Sequence, residues 1–291
     1  MTDALYGPEG FFVRENPTDH FRTSVSTSPL FAAAVRQLAG LVDDALGRPD
    51  PFDLVDVGTG TGALLAALPG VPDRWRLTGI DLNGRWPAAI PPVHGLLFAN
   101  EWLDDVPLDV VFDGRLVEVS PAGEERLGAA ASVELLDWAN RWWPDRRRSE
   151  VGLTRDRAWA DAVAAVQRGL AVAVDYGHTR ADRRTTLTGY RDGRQVTPVP
   201  DGSMDLTAHV ALDSCAALTG ARLLTQREAL SWLGISSTPP LRALASEDPR
   251  GYLTLLQSAG QAGALLDPRG LGAFGWLVQP VGIADPLRVG P

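Results

Sequence analysis

The sequence of 291 residues has no lysine and only one cysteine, Cys215. A single cysteine excludes an internal disulfide and a cysteine-based metal cluster. The 27 basic residues are all arginines, and 36 acidic residues outnumber them to give a net charge of −9. This acidic balance disfavours nucleic acid and anionic membranes as partners, because both select basic surfaces.

The chain also lacks long apolar runs and an N-terminal targeting pattern. No apolar run is long enough to cross a bilayer, and the first residues have neither a basic flank nor an apolar core. His20, His94 and His178 show no ligand-like spacing with one another, so no metal is expected. These features predict a soluble cytoplasmic protein and leave its oligomeric state open.

What the chain contains is a strand, a glycine-rich turn and a helix in succession. Residues 52–57 have the pattern of a buried strand, residues 58–62 read G-T-G-T-G, and a helical pattern follows over 63–68. A second strand pattern covers 75–80 and ends at Asp81. This succession begins a mononucleotide-binding unit and predicts a Rossmann-like α/β sheet with helices on both faces.

The glycine-rich turn indicates a cofactor, since glycines turn sharply and let a ligand approach the backbone. Asp81 closes the next strand, where a carboxylate can accept hydrogen bonds from ribose hydroxyls. Asp56 precedes the turn, and its charge would attract the cationic methionine end of S-adenosylmethionine. The expected cofactor is therefore S-adenosylmethionine, and the residues of this region expected to bind it are Asp56, Gly58, Thr59, Gly60, Gly62 and Asp81.

Two alternatives remain for this turn. Gly58, Gly60 and Ala63 also satisfy the dinucleotide fingerprint, which is typical of an NAD-dependent oxidoreductase. However, Asp56 would repel a pyrophosphate, and a chain without lysine cannot supply a Tyr-x-x-x-Lys arrangement. The second alternative is a glycine-rich turn that binds no cofactor.

Several short blocks occur along almost the whole chain. They read F-R-T-S at 21–24, D-V-G-T-G-T-G at 56–62, A-N-E-W-L-D-D-V-P at 99–107, V-D-Y-G at 174–177 and D-L-T-A-H-V at 205–210. In this order they resemble the MidA family of S-adenosylmethionine-dependent methyltransferases, which includes the mitochondrial factor that methylates an arginine on a complex I subunit. The resemblance implies a protein substrate that contains arginine, such as a subunit of a respiratory complex.

The resemblance also implies a domain plan for residues 1–291. We expect one methyltransferase domain whose segment 1–28 folds over the cofactor and contributes Thr23 and Ser24 to its binding. Residues 29–108 and 169–291 form the Rossmann-like class I core in this plan. The range between them, 109–168, forms an inserted substrate lobe.

The expected catalytic residues follow the third strand of the core. Glu101 and either Asp104 or Asp105 lie just beyond the C-terminal end of that strand, where open α/β sheets bind ligands. If the acceptor is arginine, Glu101 would grip its guanidinium, with Asn100 as a positioning group. The alternative is that these carboxylates only cap the following helix.

Three residues are expected to bind the substrate. Asp175 and Tyr176 lie at another strand end, although a structural turn before Gly177 explains them equally well. His209 is a candidate base or substrate contact. The alternative is that Asp205 or Thr207 caps a helix there and His209 packs beside it.

Two departures from the family pattern favour another function. Val25 and Ser26 replace the Pro-Glu of its N-terminal block, so an acidic group is missing. Only 18 residues separate Asp81 from Asn100, too few for a helix, a strand and a second helix. The adenine side of the pocket is therefore expected to be shortened, and a catalytically degenerate member that acts as a protein-binding assembly factor is an alternative function.

Overall fold

The computed structural model describes residues 1–14, 24–81, 89–144 and 147–288. In chain order, its helices are α1 (Thr2–Tyr6), α2 (Phe11–Arg14), α3 (Ser24–Thr27), α4 (Pro29–Ala45), α5 (Ala63–Ala67), α6 (Val133–Trp142), α7 (Leu153–Ala165), α8 (Leu212–Thr219), α9 (Gln226–Trp232), α10 (Leu244–Glu247) and α11 (Pro249–Leu265). A 3₁₀-helix covers Leu271–Ala273. Within these ranges of the chain, no helix combines the length and apolarity that crossing a membrane requires.

The strands form one large sheet and several smaller ones. In chain order they are β1 (Phe52–Val57), β2 (Trp75–Ile80), β3 (Val93–Asn100), β4 (Asp109–Phe112), β5 (Arg115–Val119), β6 (Glu125–Ala130), β7 (Arg148–Val151), β8 (Val166–Asp175), β9 (Gly177–His178), β10 (Thr188–Arg191), β11 (Arg194–Val196), β12 (Asp205–Thr207), β13 (Val210–Ala211), β14 (Arg222–Thr225) and β15 (Gly275–Val281).

The central sheet has six strands in the order β14-β15-β8-β3-β1-β2. Strands β8, β3, β1 and β2 are parallel to one another, whereas β15 is antiparallel to both of its neighbours. The four parallel strands carry the strand–turn–helix unit that the sequence predicts. The Rossmann-like α/β fold is thereby confirmed.

Helices cover both faces of this sheet, because alternate residues of a strand point to opposite sides. On β3, Leu96 and Phe98 pack in the cluster that contains α4, α9 and α11. Leu97 and Ala99 pack in the opposite cluster with α7 and α8. A strand buried on both faces needs a continuous apolar run, which is what residues 95–99 supply.

Strand β2 forms one edge of the sheet in the described part of the chain. Val57 at the end of β1 pairs with Ile80 of β2 on one side and with Ala99 of β3 on the other. Strands β2 and β3 therefore lie on opposite sides of β1. The short stretch between Asp81 and Asn100 therefore contains the connection from β2 to β3 and most of β3 itself. Residues 82–88 of this stretch lie outside the described ranges.

A four-stranded antiparallel sheet, β6-β5-β4-β7, and helix α6 lie between β3 and α7. Their shared core contains Val111, Trp138 and Val151. Within the range 109–168 that the sequence assigns to a lobe, α7 packs instead against the central sheet through Trp159. The Trp138 indole N–H donates to the Asp156 carboxylate over 2.7 Å and joins α6 to α7.

Candidate active site

The predicted site residues follow the ends of four adjacent strands. Asp81 follows β2, Gly58 follows β1, Asn100 ends β3, and Asp175 ends β8. The strand register places these ends side by side, because Val57 pairs with Ile80 and Ala99, and Asn100 pairs with Val174. Adjacent strands lie roughly 4.8 Å apart, so these residues share one edge of the sheet.

The glycine-rich turn has a backbone that only glycine adopts readily. Gly58, Gly60 and Gly62 have φ angles of +74°, +51° and +77°, in the left-handed region. The amides of Gly58 and Thr59 donate to the Ile80 carbonyl over 2.8 and 3.1 Å and tie the turn to β2. A Cβ added to Gly60 or Gly62 would meet nothing within 4 Å, so the turn is open to a ligand on that side.

Asp56 lies beneath this turn at the end of β1. Its side chain is buried, and one carboxylate oxygen accepts a hydrogen bond of 2.8 Å from the Thr59 hydroxyl. Burial raises the pKa of Asp56 to about 7, with a further contribution from the charge of Asp81. A nearby cation would therefore stabilise the ionised form of Asp56.

Stability of the ligand-free protein is expected to fall as the pH rises from 5 to 8. Burial raises the pKa values of Asp56, Glu101 and Asp205 to about 7. The folded protein then binds more protons than the unfolded chain in this window, so the free energy of unfolding decreases with pH. Replacing Asp56 with asparagine should raise that free energy at pH 8 by roughly 2–4 kcal/mol.

Urea unfolding of the ligand-free protein at pH 5 and pH 8 measures this effect. Asp56→Asn keeps an oxygen for the Thr59 hydroxyl, and the loss of stability between the two pH values should shrink in this variant. Asp73→Asn changes an exposed aspartate and serves as the charge-matched control. Its free energy of unfolding should change between pH 5 and pH 8 as much as that of the wild type. If Asp56→Asn shows the same change in the free energy of unfolding as the wild type, the pH dependence does not arise from Asp56.

Glu101 joins the N-terminal part of the chain to the sheet edge. Its Oε1 accepts hydrogen bonds from the Ser24 amide (2.9 Å) and from Asn100 Nδ2 (3.0 Å). Burial raises the pKa of Glu101 to about 7, and the charge of Asp104 adds to this rise. Ser24 is thus placed against a predicted catalytic residue, while its predicted companion Thr23 lies outside the described residues.

The Asp104 carboxylate accepts hydrogen bonds from two hydroxyl groups in distant parts of the chain. The Tyr176 hydroxyl donates to Asp104 Oδ2, and the Thr207 hydroxyl donates to the same oxygen over 2.8 Å. The Tyr176 ring lies 5.5 Å from the His209 ring, centroid to centroid. The structure therefore brings the predicted residues Asp104, Tyr176 and His209 into one group.

Asp175 has a different position from the other predicted substrate residues. Its Oδ2 accepts hydrogen bonds from the amides of Trp102, Leu103 and Asp104 at 3.2, 2.8 and 3.3 Å. The side chain is buried beneath this loop. Asp175 is therefore a positioning residue that fixes the backbone of the 101–104 loop.

Glu101, Asp104, Tyr176 and His209 line a cavity of about 620 Å³. Four carboxyl groups line it and are called the acidic floor, namely Glu101, Asp104, Asp105 and Asp205. Aromatic rings line its walls, namely Tyr176, Tyr190, His209 and Phe274. Two exposed arginines also line it and are called the mouth arginines, namely Arg184 and Arg269.

The acidic floor holds hydrogen-bond acceptors that have no donor. Oδ1 of Asp104, of Asp105 and of Asp205 is buried and unpartnered in the described structure, as is Oδ1 of the neighbouring Asn100. Burial raises the pKa values of Asp105 and Asp205. Buried carboxyl groups favour their neutral form, and a ligand that brings a positive charge and several N–H donors into the cavity would favour their ionised form.

Residues 205–207 show how the sequence analysis missed part of the floor. They form strand β12, not the start of a helix, so the alternative that Asp205 or Thr207 caps a helix is wrong. Both side chains are buried at the cavity instead. The signal was present, since both residues belong to the D-L-T-A-H-V block.

Arg155 on α7 is a second residue that the sequence analysis missed. Its buried guanidinium donates to the carbonyls of Val106 (2.9 Å), Ala208 (2.7 Å) and His209 (3.2 Å), and also to that of Asp104. It thus joins the loop after β3 to the segment after β12. No local pattern distinguishes Arg155 from Arg157, the exposed arginine of the same helix.

The central sheet has one antiparallel strand, a glycine-rich turn after β1 and acidic residues at the neighbouring strand ends. This arrangement is consistent with a Rossmann-like class I methyltransferase. Residues 74–227 match a family model described as "Putative S-adenosyl-L-methionine-dependent methyltransferase". The chain belongs to this family. S-adenosyl-L-methionine is accordingly its methyl donor, which favours the methyltransferase prediction over a nicotinamide-dependent oxidoreductase.

Two solved structures from Burkholderia thailandensis share the fold. One is a "COG1565 superfamily member and likely methyl transferase" bound to S-adenosyl-homocysteine, with a TM-score of 0.76 and 23% identity over 98% of this chain and 88% of the other. The second is an uncharacterized protein of the same superfamily, with a TM-score of 0.74 and 24% identity over 97% and 86% of the two chains. The comparison with curated proteins gives no match.

Proposed function

We propose that this protein transfers a methyl group from S-adenosylmethionine to the guanidinium group of a protein arginine. The observation that carries the proposal is the acidic floor. A guanidinium has five N–H donors and no acceptor, and four carboxyl groups line the cavity that would receive it. The charge and the hydrogen-bonding capacity of the two groups are therefore complementary.

The cofactor is proposed to bind at the open side of the glycine-rich turn. The similar structure that contains S-adenosyl-homocysteine supports this placement through its shared fold. Asp81 would receive the ribose hydroxyls, and the raised pKa of Asp56 would fall again beside the positive methionine end. The complete set proposed for the cofactor is Asp56, Gly58, Thr59, Gly60, Gly62 and Asp81, with Thr23 and Ser24 from the N-terminal segment.

The position of Glu101 between this turn and the cavity gives it the central role in the proposed reaction. S-adenosylmethionine supplies an electrophilic methyl group on its sulfonium. Glu101 would orient one guanidinium nitrogen toward that methyl group, with Asn100 holding the carboxylate through its 3.0 Å hydrogen bond. As the N–C bond forms and the S–C bond breaks, the guanidinium proton would pass to Glu101, whose pKa of about 7 suits proton transfer near neutrality.

Membership of the MidA family is part of the proposal. Three of the blocks that carry the resemblance, at 99–107, 174–177 and 205–210, contribute side chains to the same cavity. Residues that lie far apart in the sequence but share one site are the pattern that a common function produces. We accordingly propose an arginine-containing protein as the substrate, such as a subunit of a respiratory complex.

Methyl transfer from tritiated S-adenosylmethionine to three peptide pools tests the proposed function. The pools are identical except for a fixed central arginine, citrulline or lysine. Label should enter the arginine pool alone, and amino-acid analysis should recover methylarginine. Equal labelling of the citrulline pool, which lacks the positive charge, or selective labelling of the lysine pool would overturn the proposal.

Isothermal titration separates a binding failure from a catalytic one. S-adenosylmethionine should bind the wild-type protein and bind Asp81→Ala at least about tenfold more weakly, because the carboxylate that accepts the ribose hydroxyls is lost. Binding of the cofactor without labelling of any pool would favour the degenerate, protein-binding function. Equal affinity in the two proteins would contradict the placement of the ribose.

A further inference from the structure

The mouth arginines are an unexpected feature of a cavity with an acidic floor. Arg184 and Arg269 line the same cavity as the four carboxyl groups, yet both are exposed. The structure pairs neither of them with a carboxylate from the described residues. Their charges therefore remain available at the entrance while the negative charges are concentrated inside.

Arg184 is held at the entrance by anchors on both sides. The Arg183 side chain is buried and forms an ion pair with Asp213. Its guanidinium lies 5.9 Å from the ring centres of Trp138 and of Trp143. On the other side, the Thr186 amide and hydroxyl donate to the Glu150 carboxylate over 2.8 and 2.9 Å. The residues on both sides of Arg184 are thus anchored, and the Arg184 guanidinium donates over 3.4 Å to the Asp182 backbone carbonyl rather than to a carboxylate.

Arg269 reaches the cavity from a different part of the chain. It lies in the turn between α11 and the 3₁₀-helix, where the Arg269 and Gly270 amides each donate to Asp267 over 3.0 Å. Arg184 also lies near the cavity wall, because its charge contributes, after burial, to lowering the pKa of His209. Two separate segments therefore bring one positive charge each to the same opening.

We propose that the methyl acceptor carries a carboxylate next to its target guanidinium, and that Arg184 and Arg269 bind this carboxylate at the cavity mouth. The inference rests on the proposed function and specifies the sequence around the target arginine. The guanidinium enters the acidic floor, and an acidic residue beside it in the substrate pairs with the mouth arginines.

The charge of the whole protein makes this preference diagnostic. With a net charge of −9, the protein as a whole repels an acidic peptide. A preference for an acidic peptide therefore requires local positive groups. Exposed ion pairs are individually weak, so two of them should together strengthen binding by roughly five- to tenfold.

Binding of two isosteric tripeptides tests the inference. The probes are acetylated and amidated Asp-Arg-Asp and Asn-Arg-Asn, titrated into the protein saturated with S-adenosyl-homocysteine. The aspartate peptide should bind about five- to tenfold more tightly to the wild type. This ratio should fall to about one in the Arg184→Gln/Arg269→Gln double variant and persist in Arg180→Gln, an exposed arginine of the same loop that does not line the cavity.

Other outcomes separate this inference from the proposed function. Equal binding of the two arginine peptides would overturn the role of the mouth arginines. If the protein still binds both more tightly than Asp-citrulline-Asp, arginine remains supported as the acceptor. If the citrulline peptide binds as well as the others, both proposals are wrong. Weaker binding of S-adenosylmethionine to the double variant would assign the mouth arginines to the cofactor and overturn the inference.

Discussion

Replacing Glu101 with glutamine should lower the rate of methyl transfer about a thousandfold while the affinity for S-adenosylmethionine stays within about twofold. Glutamine keeps an oxygen that accepts the hydrogen bonds from the Ser24 amide and from Asn100 Nδ2. The link between the N-terminal segment and the sheet therefore survives. What disappears is the negative charge, and an NH₂ group replaces the second oxygen. The variant can then neither grip a guanidinium cation nor take its proton.

Single-turnover transfer to the arginine peptide pool, with cofactor affinity measured separately, checks this prediction. Glu124→Gln removes the same charge from an exposed turn between β5 and β6 and should behave as wild type. A rate for Glu101→Gln within about threefold of wild type would show that another group of the acidic floor receives the guanidinium. Asp104→Asn would then be the next variant to measure, because its unpartnered oxygen lies in the same floor.

Replacing Arg155 with methionine should lower the free energy of unfolding by about 4 kcal/mol. The guanidinium is buried and supplies donors to four backbone carbonyls, three of them over 2.7–3.2 Å. Its positive charge also opposes the rise in pKa that burial causes at Asp105 and Asp175. Methionine fills similar space but leaves the carbonyls without these donors and the acidic groups without a buried cation.

Urea unfolding at neutral pH measures this loss against a neighbour on the same helix. Arg157 is exposed and pairs with Glu134 at the surface, so Arg157→Met should cost less than about 1 kcal/mol. The loss in the free energy of unfolding for Arg155→Lys should lie between those of Arg155→Met and Arg157→Met. An ammonium keeps the charge but cannot reach four carbonyls in a planar arrangement. Similar losses in Arg155→Met and Arg157→Met would contradict the structural role of the buried guanidinium.

The two variants address different levels of the same site. Glu101 is expected to touch the substrate, whereas Arg155 holds together the two segments that form the cavity. Asp175 fixes the 101–104 loop, because its carboxylate accepts hydrogen bonds from three amides of that loop. A guanidinium entering the cavity would therefore meet carboxylates whose backbone is already in place, which is the condition for effective electrostatic stabilisation.

Much of the fold was predictable because it depends on local patterns. The strand patterns at 52–57 and 75–80, the glycines between them and the apolar run at 95–99 are each sufficient to indicate a strand or a turn. The glycines of the turn have positive φ angles, which is a requirement of the backbone at each position by itself. Residues that end parallel strands also meet at one edge of a sheet, so the candidate positions follow from the strand order.

The cavity was only partly predictable for the opposite reason. Asp104, Tyr176 and His209 were candidates because they follow strands or belong to family blocks, but their contact depends on partners far apart in sequence. Tyr176 and Thr207, which share one carboxylate oxygen, lie 72 and 103 residues beyond Asp104. Asp175 had the same local signal as Tyr176, and only its three amide contacts show that it holds the loop.

The sequence by itself determined the α/β class, the glycine-rich turn and the row of acidic strand ends, because periodicity, backbone conformation and strand termination are properties of short segments. Only the tertiary structure decided that Arg155 joins two of those segments and that Asp205 completes the acidic floor. It also decided that Arg184 and Arg269 share one opening. The physical reason is that burial and pairing of charges depend on which distant segments the sheet brings together, and no short stretch of sequence contains that information.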